Sequence, residues 1–455
     1  MAISKIRLAA WKDEAALVST VLANAPTIDK HRQISTEEFL LRQMKVMQVL
    51  EQAGVEAGVV YSDEHYHGDV PYLGGNVNIT VESVAGVLGK NGFHIMAGQE
   101  GGCVAEQLAR RAGAKVHKVE MFKIADEEYP IEPDRVEEVI EAAAGCHPKR
   151  IALLTARSVL PVAMYDFLSD YVGGAQSVVD LQEPYWRIRY EKSDAEMALI
   201  SDSALVADTA VRGMLAVLKP GMLETQVAEW GYLIAKEMGA ESMGVEIMVT
   251  ANEANRTLIG KALNRPIREG DFVQVGIAPE RDGLNSCQRV SVVAVDDPAK
   301  VTADQKYWLD FIEEAYRVGY DAFVDVAEND KPAYLEEKAI VDFFASRSAE
   351  VSKRVGHSVD LVKQKPYAGT HNTGYTECHE FFGAVTLNAR EPLGRQIAMM
   401  LDVAVKGNYS AWDEVVVPGL DYLVIEKTLG KFGKHVEPLT KLPLNVQHLI
   451  GRVEG

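Results

Sequence analysis

Histidine changes charge closest to neutrality, so imidazoles set beside carboxylates are the first candidates for acid–base work. His379 is followed at once by Glu380, and such an imidazole can give or take a proton unless the ring is merely satisfied inside a strand pair. His371, close to Gly369, is a second shuttle, a lone metal ligand or an exposed loop histidine. Cys287 stands in Asn285-Ser286-Cys287-Gln288-Arg289, where a thiol is either a nucleophile or, more commonly, a small apolar filler. Arg289 and Arg256 carry the planar fork that balances carboxylates inside a pocket or grips a substrate carboxylate at two points, or else form a plain salt bridge to Glu246 or Glu426. Asp402 and Glu426 fall in strand-forming runs that should be neighbours. Two carboxylates so close raise the pKa of one, or hold a cationic substrate group or an arginine between them. An internal arginine in that gap makes the pair structural. Finally, Asp63-Glu64-His65-Tyr66-His67-Gly68-Asp69 sets two histidines between carboxylates, a pattern that suits metal binding, a substrate contact or one face of a surface turn.

These residues need elements to hold them. Before residue 190, helical periods alternate with short apolar runs: a helix at 36–53, strands at 57–61 and 93–96, a helix at 104–112, then strands at 116–118 and 151–154. Strand followed by helix, repeated, predicts a layered α/β domain over 1–188. Beyond it, Ser193 with Glu196 has capping-box spacing and opens a long helix that Pro220-Gly221 ends. A helix at 224–238, a strand at 245–250 and a hairpin-like pair, 272–278 with 288–295 around Asp282-Gly283, follow. Helices at 303–326 and 333–346 precede strand-rich sequence from Ile397 onward. The class is α+β, with a second domain over 189–455.

Composition narrows the function. The chain has 455 residues, of which 47% are hydrophobic, enough for two well-buried cores. Its 66 acidic and 47 basic residues give a formal charge of -19, which repels a polyanion and argues against nucleic acid. No apolar run approaches a membrane span, and the first residues lack a signal-peptide core; a cytoplasmic, membrane-free protein is expected. Four scattered cysteines without CxxC spacing read as free thiols.

The order Lys192-Ser193-x-x-Glu196, Leu218-Lys219-Pro220-Gly221-Met222, Asn264-Arg265-Pro266-Ile267-Arg268-Glu269-Gly270-Asp271-Phe272-Val273 and Gly374-Tyr375-Thr376-Glu377-Cys378-His379-Glu380 resembles the creatinase, prolidase and methionine aminopeptidase superfamily. Pro71-Tyr72-Leu73-Gly74-Gly75 is similar to a stretch of that family's N-terminal domain. The resemblance implies a pita-bread C-terminal domain behind a smaller α/β domain, and a homodimer in which one subunit's N-terminal domain covers the other's site. His65 and His67 would then complete the partner's substrate pocket.

Metallopeptidases of this family hold two divalent ions with two hairpin aspartates, one histidine and two glutamates. Counting along the resemblance puts Gly276 and Cys287 where the aspartates belong, Asn372 or His371 at the histidine, and Asp402 and Glu426 at the glutamates. Two ligands are therefore absent and no dinuclear site is expected. Creatinase itself works without metal through a histidine, but its position falls here on Ile259 or Gly260. The first expectation is a metal-independent hydrolase of a small C–N compound, of guanidino, amidine or cyclic amide type, with no cofactor. In it His379, Glu426 and His371 do the acid–base work, and Cys287, Arg289, Asp402, Glu246, Arg256, His65 and His67 line the substrate. The alternative is a single-metal enzyme of Xaa-Pro-peptidase or lyase type built on His371, His379, Asp402 and Glu426. A catalytically inactive binding module is the third.

Overall fold

The computed structural model describes residues 5–75, 79, 82–124, 130, 132–251, 259–365, 369–375, 382–407 and 415–453. The chain divides into two compact units, residues 33–191 and residues 1–32 together with 192–455. The division falls between Glu191 and Lys192, beside the boundary expected from sequence, but the first 32 residues join the C-terminal unit rather than the N-terminal one. The reason is a buried contact. Helix α1 (Lys5–Ala23) buries Glu14, which accepts a hydrogen bond from Trp230 Nε1 at 3.0 Å and pairs with Arg7 at 2.6 Å. A paired carboxylate can be buried, whereas a lone one could not.

The N-terminal unit runs α2 (Thr36–Ala53), β1 (Ala57–Ser62), α3 (Asp69–Gly74), β2 (Val84–Gly89), β3 (Gly92–Ala97), α4 (Gly101–Leu108), β4 (Lys115–Lys118), α5 (Val136–Ala144), β5 (Ile151–Leu153), α6 (Val162–Tyr171), β6 (Val178–Asp180) and α7 (Gln182–Tyr190). Its six-stranded sheet has the order β4-β3-β2-β1-β5-β6. Only β2 runs against its neighbours; the pairs β3 with β4, β1 with β5 and β5 with β6 are parallel. Parallel strands need crossovers and burial on both faces, and every residue of β1 is buried. The stretch 71–75 that resembles the family lies in and just after α3, where Asp69 pairs with Arg189 of α7 and accepts from Thr155 Oγ1 at 2.5 Å.

In the C-terminal unit α8 (Asp194–Val217) carries the expected capping box on Ser193 and Glu196. Then come α9 (Glu224–Glu237), β7 (Ser242–Ala251), β8 (Phe272–Arg281), β9 (Leu284–Asn285), β10 (Gln288–Val293), α10 (Ala303–Glu328), α11 (Tyr334–Val355), α12 (Leu361–Gln364), β11 (Thr370–Asn372), β12 (Gln396–Lys406), β13 (Tyr422–Phe432) and β14 (His435–Pro438). Asp282 and Gly283, both at positive φ (49° and 79°), make the two-residue hairpin loop, as Asp-Gly does in turns matched to strand twist. Helix α11 passes its expected end at Ser346: that hydroxyl, like Ser348's, bonds back to a carbonyl of its own helix instead of competing with it.

The strands form one curled antiparallel sheet in the order β11-β12-β13-β10-β8-β7, with β9 on β8 and β14 on β13. Val273, Val275, Ile277, Val290 and Val292 join the core formed with α8 and α9. Burying each such side chain contributes about 1.5–3 kcal/mol. Because side chains alternate along a strand, Gln274, Gly276, Cys287 and Arg289 turn to the other face.

Candidate functional site

Strand register assembles the site. Asp402 lies opposite Glu426, Glu426 opposite Arg289, and Arg289 opposite Gly276, so four adjacent strands bring these residues into one lateral row. A shift of one residue in any strand would turn its member to the opposite face.

Arg289 dominates the row. Its guanidinium lies 2.6 Å from Asp402 Oδ2 through Nη2, 2.7 Å from Glu426 Oε2 through Nε, and 3.4 Å from Gln274 Oε1 through Nη1. All three charged residues are buried, Arg289 at 1% exposure. The stem needs the glycine across from it: a Cβ on residue 276 would stand 2.8 Å from Arg289 Cγ and 2.9 Å from its Cβ. The position where the resemblance calls for an aspartate is therefore occupied by the base of an arginine.

The carboxylates respond differently to this shared cation. Burial pushes Asp402 up to about 6 despite Arg289, and repulsion from Glu426 adds to the rise. For Glu426, burial also opposes ionisation, but Arg289 and then His371, with a hydrogen bond from Cys287, outweigh it and pull the pKa down to about 2. Glu426 is thus the fixed anion and Asp402 the member that takes up a proton first. The gap between them, expected to hold either a cationic substrate group or an internal arginine, is filled by Arg289, so the pair carries no argument for a guanidino or amidine substrate.

His371 of β11 faces this cluster, its Nε2 being 3.7 Å from Glu426 Oε1, and its Nδ1 lies 3.1 Å from the Asn372 carbonyl. Asn372 turns instead to Lys192, whose Nζ donates to its Oδ1 at 3.1 Å. Strand alternation therefore puts His371, not Asn372, on the site face. Cys287 is fully buried beside Met248, Ala278 and Met400, its thiol hydrogen-bonds Glu426, and its backbone is clamped by Thr428 Oγ1 at 2.8 and 3.0 Å.

Other candidates stand apart. Glu246 is exposed on β7 and lines a small cavity with Thr225, Tyr232 and Lys261; Arg289 pairs with Asp402 and Glu426 instead. His65 and His67 belong to the N-terminal unit, just after Asp63, whose Oδ1 accepts from the His65 and Tyr66 amides at 2.9 and 2.6 Å. His379 and Arg256 lie outside the described residues. Gln274 was missed by the sequence reading, although its spacing of two from Gly276 marks it as sharing that face.

Does the row suit a metal pair? Gly276 offers no donor, a guanidinium already sits on both carboxylates, and among the described residues no group of three or more His, Cys, Asp or Glu could hold an ion. The residues present do not fit a dinuclear centre.

Residues 198–380 match the model of metallopeptidase family M24. The chain is 27% identical over 249 residues to the putative dipeptidase YkvY of Bacillus subtilis (strain 168), covering 54% of this chain and 63% of that protein. It is also 27% identical over 146 residues to the uncharacterized peptidase YqhT of the same organism, covering 32% of this chain and 38% of that protein. The match thus spans less than two thirds of either curated relative. The Xaa-Pro dipeptidase from Bacillus anthracis is similar in structure at a TM-score of 0.64 and 16% identity, over 89% of this chain and 98% of that one. The X-Pro aminopeptidase from Thermotoga maritima MSB8 gives 0.66 and 14%, over 89% and 98%. Among the described residues no helix is long and apolar enough to cross a membrane.

Proposed function

We propose that this chain, which belongs to the M24 metallopeptidase superfamily and has its pita-bread fold, hydrolyses a C–N bond in a small amide- or peptide-like molecule around a side-chain cation instead of metal ions. The observation that carries this reading is the guanidinium of Arg289, 2.6 and 2.7 Å from Asp402 and Glu426. By neutralising buried charge it lets Glu426 stay ionised, and Glu426 in turn orients His371. The imidazole takes a proton from water as the oxygen attacks the carbonyl carbon. It then returns that proton to the departing nitrogen as the C–N bond breaks. His379 remains part of the proposal as a second acid–base group.

The family match and the relatives described as peptidase and dipeptidase support a C–N bond as the target. Their names also favour a second reading, an Xaa-Pro-peptidase-like enzyme with one divalent ion, in which the guanidinium would have to leave the carboxylates. The test is elemental analysis of protein purified without chelator, joined to turnover of Xaa-Pro dipeptides and cyclic amides before and after EDTA. The proposal expects no stoichiometric metal, activity that survives EDTA, and a loss of about 10²–10⁴ in kcat/KM in His371→Asn. One bound ion and EDTA-sensitive turnover would sink it in favour of the second reading.

A further inference from the structure

The N-terminal unit holds a pocket that the proposed chemistry does not use. Five of the six strands in its sheet point the same way, and their carboxyl ends are Ser62, Ala97, Lys118, Leu153 and Asp180. Open α/β sheets bind ligands beyond such an edge. There a cavity of about 230 Å³ is lined by Glu82, Ser83, Phe122, Lys123, Ala163 and Met164. These residues lie just before β2, soon after β4 and at the start of α6, three segments that converge on that edge.

Two side chains of opposite charge, Glu82 and Lys123, are among those that line this pocket. Glu82 is only 4% exposed. One carboxylate oxygen accepts from the Gly101 amide at 2.5 Å, while the other, Oε1, is buried with no hydrogen-bond partner among the described residues. Its seat is cut for it: a Cβ on Gly98 would stand 2.3 Å from the Glu82 carboxyl carbon, and one on Gly101 2.7 Å from Oε2. A buried acceptor left unpaired costs about 1–3 kcal/mol, which a ligand N–H can recover. Lys123, by contrast, pairs at 3.1 Å with Glu120, whose side chain is 63% exposed; a pair of that kind is worth little and is readily exchanged. Phe122 and Met164 supply apolar walls, and the volume is below that of drug-sized sites.

We propose that this pocket binds a free α-amino acid with an apolar side chain, its ammonium on Glu82, its carboxylate on Lys123 and its side chain against Phe122 and Met164. The site lies wholly within the N-terminal unit and does not depend on the chemistry proposed for Arg289 and His371. Isothermal titration of the full chain with L-leucine tests it, with isoamylamine and 4-methylpentanoate as analogues that each lack one charge. Leucine binds, and each analogue binds about tenfold or more weakly, the worth of one charge-assisted hydrogen bond. Glu82→Gln and the pocket-filling Ala163→Phe each weaken leucine to a similar extent, with circular dichroism unchanged. Should Glu82→Gln fail to fold, Ala163→Phe still decides. Absence of leucine binding, equal binding of 4-methylpentanoate, or undiminished binding in the folded variants overturns the assignment.

Discussion

Replacing Arg289 with methionine keeps much of the stem and removes the charge that separates Asp402 from Glu426. The two carboxylates are directly opposed across β12 and β13. At the roughly 5 Å spacing of opposed side chains and an effective dielectric near 20, two such charges repel by about 3 kcal/mol. Breaking a buried ion pair on one side typically costs about 3–5 kcal/mol, and that is the loss expected for Arg289→Met at pH 7.5. It should appear as a fall of about 1 M or more in the urea midpoint, followed by the fluorescence of Trp230 and Trp308 in the C-terminal unit. The pH dependence has a definite sign. In the variant one carboxylate has a folded pKa far above its unfolded value, so the folded state binds an extra proton and stability rises as pH falls through that range. The parent protein gains in the same direction through Asp402, at about 6 against an ordinary 3.8, but by less. The gap between the two proteins therefore narrows from pH 7.5 to pH 5. Adding Asp402→Asn and Glu426→Gln to the variant restores most of the lost stability. A loss under about 1 kcal/mol, or one that does not change with pH, would refute a guanidinium buried between two carboxylates.

Gly276→Ala should destabilise by about 1–3 kcal/mol in the same urea assay, since its Cβ would meet the Arg289 stem at 2.8 Å and the packed core has no room to give. Glu336, fully buried in α11 and accepting from Thr370 Oγ1 at 2.9 Å, is pushed by burial up to about 8. Its folded pKa lies above its unfolded value, so the parent loses stability as pH rises from about 4.5 to about 8. Glu336→Gln removes that dependence, and the stability difference between parent and variant, followed by urea unfolding, should grow across the window and then level off. Ser193→Ala deletes the cap on α8 and should cost about 1 kcal/mol, read as a lowered urea midpoint.

What could be read from the sequence was what local chemistry or counting decides. The capping box at Ser193 and Glu196 is set by residues three apart, and Asp282-Gly283 by the backbone of its own turn. The absence of carboxylates at Gly276 and Cys287 followed from spacing along a family pattern. The occupant of the vacated space was harder, because it depends on which strands pair and in what register. Arg289 stood among several candidates until the pairing of β8, β10, β13 and β12 put it beside Gly276, Glu426 and Asp402 in one row. His371 and Asn372 were likewise indistinguishable as letters, and differ only in which face of β11 each presents. The placement of α1 was not legible either, since the Glu14–Trp230 contact joins residues 216 apart. The glycine and the arginine are then one substitution in physical terms. An aspartate at residue 276 has no space while Arg289 lies across it, and Arg289 has no space while residue 276 carries a Cβ. Changing either alone produces a clash or an uncompensated buried charge, and so the row persists as a unit.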